Sequence, residues 1–516
     1  MISISIIHVK VTKSLLGSKS SHYDAQKHKN NNDLLSACVY ICSMSKNKIN
    51  RIEKGLEVVD INTQGMGVAK SAEGIVYFIS KVVPGDVVDV TVYKKKRGYF
   101  EAQPLKFIKE SPHRVEAVCA HFGVCGGCKW QHFSYTAQLD SKEKGILRNL
   151  KDIGKVEIET VLPIAGADPH YYYRNKMEFS FSNRRWLTTE EIQSEELIER
   201  NGLGFHKPNM WDKVVDINQC HLQPEPSNGI RNAIRTYALE NKLAFFDPVA
   251  QSGFLRTLMI RNTMAGEFMV LLQFFKEDKV QRIGLLDWIG KQFPQITSLL
   301  YCINGKGNDS LYDQEIICHS GQDFITEQLG ALTFKITAKS FYQTNPKQAL
   351  TLYTIAKEFA ALESTDTVYD LYTGTGTIAL FLAPHCKKII GIESVADAIK
   401  AAAENAKNNG IENAVFEVGD MKNSFNADFI QRHGKARVVI TDPPRNGMHP
   451  DVVQQLLDLA PERIVYVSCN SATQARDIEM MKNDYAVLKS QAVDMFPQTH
   501  HVENVVLLQR KANHAS

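Results

Sequence analysis

The stretch Thr367-Val368-Tyr369-Asp370-Leu371-Tyr372-Thr373-Gly374-Thr375-Gly376-Thr377 decides the fold of this chain. Its first half is a short apolar run rich in β-branched and aromatic residues, the composition of a strand covered on both faces. Its second half is a glycine turn, and an apolar segment of helical length follows from Ile378. Strand, glycine turn and helix in that order open a doubly wound α/β sheet, which binds ligands beyond the carboxyl ends of its strands. A dinucleotide site needs G-x-G-x-x-G, whereas here Gly374 and Gly376 are followed by Ala379. The shorter turn, Asp370-x-x-x-Gly374-x-Gly376, suits S-adenosylmethionine, which has no pyrophosphate to cradle.

Outward from that turn the pattern repeats. Lys388-Ile389-Ile390-Gly391-Ile392-Glu393 reads as the next strand, and Glu393 ends it as a ribose-binding carboxylate should. A helix with Ala396, Ile399, Ala402 and Ala406 on one face leads to a third strand, Ala414 to Val418, ending at Asp420. Two later apolar runs, Arg437–Thr441 and Ile464–Val467, deliver Asp442-Pro443-Pro444-Arg445 and Ser468-Cys469-Asn470 to neighbouring strand ends. Met495-Phe496-Pro497 and His501-Val502-Glu503 follow. A lone cysteine is most simply a buried small hydrophobe. A thiol at a strand end, with carboxylates able to converge on it, instead suits covalent chemistry on an electrophilic carbon.

A second constellation precedes these. Cys119, Cys125 and Cys128 form a C-x5-C-x2-C cluster in a glycine-rich loop, and Cys220 follows far downstream. Four thiols suit zinc or an iron–sulfur cluster; three clustered cysteines with a remote fourth lean towards [4Fe–4S].

At 516 residues the chain should hold about three domains. Hydrophobic residues make up 44% and charged residues 23%, which describes an ordinary globular core. A net charge of +3 is too small to declare nucleic-acid binding, so local clusters decide. Ten cysteines without a secreted spacing pattern lead us to expect a reducing, cytoplasmic setting. No apolar stretch reaches the ~20 residues that cross a bilayer; no membrane partner is expected, and a monomer is.

Residues 1–44 carry a polar run at Lys27-His28-Lys29-Asn30-Asn31-Asn32 and are expected to be a disordered extension or translated upstream sequence. Residues 45–111 read as a small OB-like β-barrel. Its basic segment Lys94-Lys95-Lys96-Arg97 is bracketed by Tyr93, Tyr99 and Phe100, as a single-stranded RNA platform would be. Residues 112–335 form a central α+β unit with the cysteines, and 336–516 the nucleoside-binding unit. Within the central unit Ser134–Leu150 is expected to be helical and to pack on the later domain, and Arg256 and Arg261 are candidate phosphate contacts.

Taken in order, Ser340-Phe341-Tyr342-Gln343-Thr344-Asn345, the Asp370–Gly376 turn, Asp442-Pro443-Pro444-Arg445, Val467-Ser468-Cys469-Asn470 and Glu503 resemble the RNA uracil-C5 methyltransferase family. Thr373 departs from the cysteine common there, but that turn needs only a small residue. The resemblance implies a Rossmann-like S-adenosylmethionine-dependent domain, with Cys469 the nucleophile at uracil C6 and Glu503 the base at C5. Asp442 would stand between cofactor and uracil, and Gln343, Tyr372, Gly374, Glu393 and Asp442 would hold the cofactor, with Asp420 on the adenine side. The barrel resembles the TRAM domain. One branch of the family carries a [4Fe–4S] cluster, implying Cys119, Cys125, Cys128 and Cys220 as its ligands and 23S ribosomal RNA rather than transfer RNA as substrate. Asp442-Pro443-Pro444 also resembles the D-P-P-Y motif of amino-methyltransferases, but Arg445 stands where their stacking aromatic belongs and Cys469 would be idle.

Overall fold

The computed structural model describes residues 51–512, so the expectations for residues 1–44 lie outside the described residues. Strands β1 (Arg51–Ile61), β2 (Gly67–Lys70), β3 (Val76–Ile79), β4 (Val87–Lys96) and β5 (Tyr99–Lys109) close a five-stranded barrel in the order β1-β2-β3-β5-β4. Alternation fills it: Val88, Val90 and Val92 of β4 point inward with Leu56, Val58, Tyr77 and Ile79, all buried. The lysine run ends β4, and Arg97-Gly98 turns the chain, with Gly98 at φ +91°. There Lys95 lies over the Phe100 ring, 5.8 Å from its centroid.

The nucleoside-binding sheet has eight strands. Its heart is β16 (Thr367–Leu371), flanked by β17 (Lys388–Glu393) and β18 (Ala414–Val418) on one side. On the other lie β19 (Val438–Thr441), β20 (Arg463–Ser468), β22 (Glu503–Arg510) and β21 (Tyr485–Val493), and the edge is β6 (Ile158–Ala165). Strands β18-β17-β16-β19-β20 are parallel, and β22 runs antiparallel between β20 and β21. Val368, Val438, Ile440 and Val465 enter one core with the helix Pro346–Ala360, while Tyr369, Val439, Ile464 and Tyr466 enter the opposite one. Both faces are covered, which is why these strands read as unbroken apolar runs rather than alternating ones.

A second sheet has seven strands in the order β13-β12-β11-β10-β7-β8-β9. Its strands are β7 (Lys176–Ser182), β8 (Gly202–Lys207), β9 (Met210–Asp216), β10 (Leu255–Asn262), β11 (Phe268–Phe274), β12 (Ile296–Ile303) and β13 (Ile317–Gly321). A hairpin, β14 (Phe324–Leu329) and β15 (Leu332–Thr337), links it to the last domain. Met259, Leu271, Leu300 and Cys302 share a core with Leu352, Phe359 and Leu380, so the two sheets are packed together.

Two features differ from the linear division. Strand β6, well inside the segment read as central, pairs in parallel with β21 and completes the eight-stranded sheet. The expected helix at 134–150 spans Tyr135–Asp152 and does pack there, its Asn149 Nδ2 donating to Ser471 Oγ at 2.8 Å. Secondly, Arg256 and Arg261 are not phosphate contacts. Both are buried; Arg256 donates to the carbonyls of Asn304 and Lys306, and Arg261 to that of Ser340 at 2.6 Å. A cation in a strand looks the same in sequence whether it serves a phosphate or its own backbone.

The helix Tyr135–Asp152 holds the loop before β22. Lys142 Nζ donates to Asp494 Oδ1 at 2.6 Å and to the Phe496 carbonyl at 3.2 Å, and Tyr135 OH donates to Asp494 Oδ2 at 2.9 Å. Both charged side chains are fully buried. We predict that Lys142→Met, which strands Asp494, lowers stability by about 3–5 kcal/mol in a denaturant titration. Lys144→Met, whose pair with Asp140 is exposed, should cost less than about 0.5 kcal/mol.

Candidate active site

The glycine turn has the backbone its sequence requires. Tyr372, Gly374 and Gly376 all have positive φ, at +63°, +56° and +77°. A Cβ at Gly376 would sit 2.9 Å from Phe416 and Ala402, so only glycine fits against the neighbouring strand and helix. A Cβ at Gly374 would meet nothing within 4 Å, because that residue borders open space. Its N–H reaches Glu393 Oε2 at 3.3 Å, and the other Glu393 oxygen accepts from Val395 N and Ser394 Oγ. Below the turn, Thr373 Oγ1 donates to the buried Asp370 at 2.5 Å, and burial pushes that carboxyl up to about 7.

The segment 340–345 forms the facing wall and is pinned at successive carbonyls. Arg261 holds Ser340, Thr375 Oγ1 holds Phe341 at 3.2 Å, and Asn175 holds Gln343 and Thr344 at 3.1 and 2.9 Å. The Gln343 side chain meets Tyr353, whose hydroxyl lies 3.1 Å from Thr377 Oγ1. Asn345 then caps the helix Pro346–Ala360 and donates to the Met495 carbonyl at 3.1 Å. One cavity of about 1630 Å³ is lined by Gln343, Tyr372, Gly374 and Glu393 in one arm and by Asp442, Cys469 and Glu503 beside it. Asp420 is not on its wall: it is exposed and caps the short helix Met421–Ser424.

Cys469 lies at the end of β20, half-buried, and Glu503 is the buried first residue of the adjacent β22. Antiparallel pairing of Ser468 with Asn504 fixes their proximity. Burial raises Glu503 well above the usual carboxylate range, and Asp442 adds to the effect. Asp442, partly open to the cavity but deeply set, is raised by burial and by Asp370. Cys469 is pushed up to about 11 by burial and by both acids; Arg445 opposes them through charge and a hydrogen bond to the thiol. Arg445 was counted in the sequence only as a missing aromatic. Its carbonyl is held by Asn470 Nδ2 at 2.9 Å and Thr473 Oγ1 at 3.2 Å, the start of the helix that follows Cys469. A cation directly after a strand-end Asp-Pro-Pro was the signal available for it.

Phe496, Thr499 and His501 close the far wall. Burial, with Arg445 next, lowers His501 to about 4, so it stays a neutral ring. The neighbouring His500 packs on Gly65 of the barrel, whose carbonyl accepts from Trp130 Nε1 at 3.2 Å.

Cys119, Cys125, Cys128 and Cys220 line another lobe of the same cavity and are free thiols. Burial pushes Cys125 up to about 11 and Cys128 up to about 12, and charge on Cys220 or Cys119 adds to both. Their donor set, four mutually felt thiols in one lobe, fits the chemistry of an iron–sulfur cluster. They are gathered but not closed: among the described residues no group of three or more histidine, cysteine or acidic side chains is arranged to hold a metal ion.

This fold and site define a methyltransferase whose nucleoside groove opens onto a cysteine beside buried acids. Residues 313–511 match the family model described as tRNA (Uracil-5-)-methyltransferase. An uncharacterized RNA methyltransferase of Porphyromonas gingivalis is 50% identical over 465 residues, 88% of this chain and 99% of the relative. One from Bacteroides thetaiotaomicron is 49% identical over 450 residues, 86% and 99% respectively. The structure of Pyrococcus abyssi tRNA (uracil-54, C5)-methyltransferase with S-adenosyl-L-homocysteine is similar at a TM-score of 0.68 and 29% identity, covering 88% of this chain and all of that one. The chain belongs to the RNA uracil-C5 methyltransferase family, whose enzymes use S-adenosylmethionine. No described helix is long and apolar enough to cross a membrane.

Because Asp442 and Glu503 hold protons in the fold that the unfolded chain releases near the ordinary carboxylate value, stability falls as pH rises from there through neutrality. Thermal melting between pH 5 and 8 should show a smaller fall for Glu503→Gln than for the unaltered protein.

Proposed function

We propose that this enzyme methylates C5 of a uracil in structured RNA, 23S ribosomal RNA first, through a covalent adduct on Cys469. The observation that carries this reading is the meeting of a thiol and a buried acid on a cavity continuous with the glycine-turn groove. C5 of uracil is a poor nucleophile. Addition of the Cys469 thiolate to C6 turns the ring into an enolate and C5 into a nucleophile. Arg445 favours the thiolate, whose proton leaves to water through the open cavity. S-adenosylmethionine, held by Gln343, Tyr372, Gly374 and Glu393, supplies the electrophilic methyl group. Glu503, once its resting proton has passed to solvent through the open cavity, removes the C5 proton as the carboxylate, a strong base because it is buried, and the Cys469–C6 bond breaks to restore the ring. Asp442 faces both arms and orients the base between them. The target uridine must leave its stack to reach Cys469.

The barrel, in this reading, is a TRAM-type RNA platform, and the protein is a cytoplasmic monomer. Cys119, Cys125, Cys128 and Cys220 would hold a [4Fe–4S] cluster that orders the cysteine loop; the transfer needs no electron, so no step passes through it. Transfer RNA is the second reading. It is favoured by the Pyrococcus abyssi enzyme, whose likeness extends far beyond the nucleoside-binding domain. A barrel-bearing architecture therefore does not choose between the two RNAs.

Fluorine at C5 cannot be removed as a proton, so 5-fluorouridine RNA should accumulate a denaturation-resistant adduct that Cys469→Ala loses. An adduct with 23S fragments supports the first reading, and one with transfer RNA alone moves the substrate to the second. Turnover near normal in Cys469→Ala would sink the covalent mechanism. Glu503→Gln should trap the methylated adduct on ordinary uridine RNA, cutting turnover by about 10²-fold or more. Anaerobically isolated protein should carry iron and sulfide, and a colourless protein with one zinc would refute the cluster.

A further inference from the structure

Two aromatic side chains on the cavity wall are unusually bare. Phe341 is 63% exposed and Tyr312 71% exposed, and both line the same cavity as Cys469. Phe341 is not on a loop end left free by accident. The Phe341 carbonyl is held by Thr375 and the preceding carbonyl by the buried Arg261, so the backbone that presents this ring is fixed on both sides. Leaving a large apolar ring in water forgoes the stabilisation its burial would contribute. On a backbone this well fixed, that exposure is a feature of the wall rather than of disorder.

The charges nearby point to the ligand. Lys339, two residues before Phe341, lines the cavity and has no ion pair or hydrogen bond to any described residue. Arg174 lines it too, and its guanidinium donates to a backbone carbonyl, not to a carboxylate. Cations without a carboxylate partner on the same cavity wall as exposed rings suit a nucleotide, which offers a phosphate to one and a base to the other. Size agrees: about 1630 Å³ exceeds the roughly 300–1,000 Å³ of a typical small-ligand site. Room remains beyond the cofactor and one flipped base.

We propose that Phe341 and Tyr312 form a stacking platform for an RNA base flanking the target uridine, with Lys339 meeting its phosphate. The inference rests on the uracil-C5 reading above and extends it to a second, non-reacting nucleotide. Stacking tolerates any base, so the platform adds affinity and fixes the direction of the strand while base identity is read elsewhere.

The test pairs protein and RNA changes on the fragment that the fluorouridine trap identifies. For the unaltered enzyme, an abasic nucleotide at one position flanking the target should weaken RNA binding about tenfold. Phe341→Leu should weaken binding to intact RNA by a similar factor, and the same abasic nucleotide should then cost nothing further. The dissociation constant for S-adenosylmethionine should stay within about twofold, although Phe341 lies two residues from Gln343. Lys339→Gln should reduce the slope of log affinity against log salt by about one. Additive losses from the abasic site and Phe341→Leu would overturn the platform, as would weakened cofactor binding with RNA affinity intact. Either result alongside normal uridine methylation removes only this inference. An enzyme that methylates no uridine at all would remove both.

Discussion

Lys142 and Asp494 are two charges taken out of water, and neither can be left alone without a large penalty. Their attachment fixes the loop from Asp494 to His501, because Lys142 also holds the Phe496 carbonyl. Gln498 in that loop accepts backbone hydrogen bonds from Lys129 and Trp130, and its side chain pairs with Gln138. Met495 receives Asn345, the cap of the helix behind the cofactor wall. So one buried pair joins the cysteine segment, the barrel contact at Gly65, the wall carrying Gln343 and the strand that begins at Glu503. A loop of eight residues can define a pocket to a fraction of an ångström only if its ends and middle are tied in this way.

The chemistry depends on how negative charge is distributed in that pocket. Asp370, Asp442, Glu503 and the Cys469 thiol stand close together away from water, and all four are driven towards their neutral forms. A resting site with a neutral thiol is protected from adventitious oxidation and alkylation. It also means that the thiolate must be formed on demand. Arg445 is the cation that opposes the acids at both Cys469 and Glu503, and its backbone is fixed by the helix that Cys469 precedes. Two neutral histidines nearby add no proton traffic, since burial and the surrounding cations keep them uncharged. The carboxylates are raised because a charge shielded from water takes up a proton readily, which is also what the proposed role of Glu503 as a base requires of its ionised form.

Much of this was legible before any coordinates. Gly374, Glu393, Asp442 and Cys469 all lie at carboxyl ends of parallel strands, as the switch-point rule led us to expect once the glycine turn was read. Glu503 was the harder residue, because it begins an antiparallel strand and nothing in its own neighbourhood distinguishes it from a surface acid. Only its register beside Ser468 brings it to the thiol. Register of non-local strands is a property of the closed sheet and has no local signature. The same limit explains β6, which joins its sheet from more than 300 residues away. It also explains Arg256 and Arg261, whose acceptors are carbonyls from distant turns. Asp420 kept its place at a strand end, yet its side chain turned to cap a helix, a competition that acids at such positions commonly enter.

The same cavity brings Cys119, Cys125, Cys128 and Cys220 onto one wall with Cys469, the proposed nucleophile. Tyr173, Arg174, Arg445, His501 and the pinned residues 340–344 all line this cavity together with the five cysteines. Burial raises Cys125, Cys128 and Cys469 alike, and Cys469 is distinguished by Arg445, which opposes the rise through charge and a hydrogen bond. In the proposed reading, an RNA strand entering this cavity would meet Lys339 and Phe341 on its wall, and the pinned backbone there is what could fix its path.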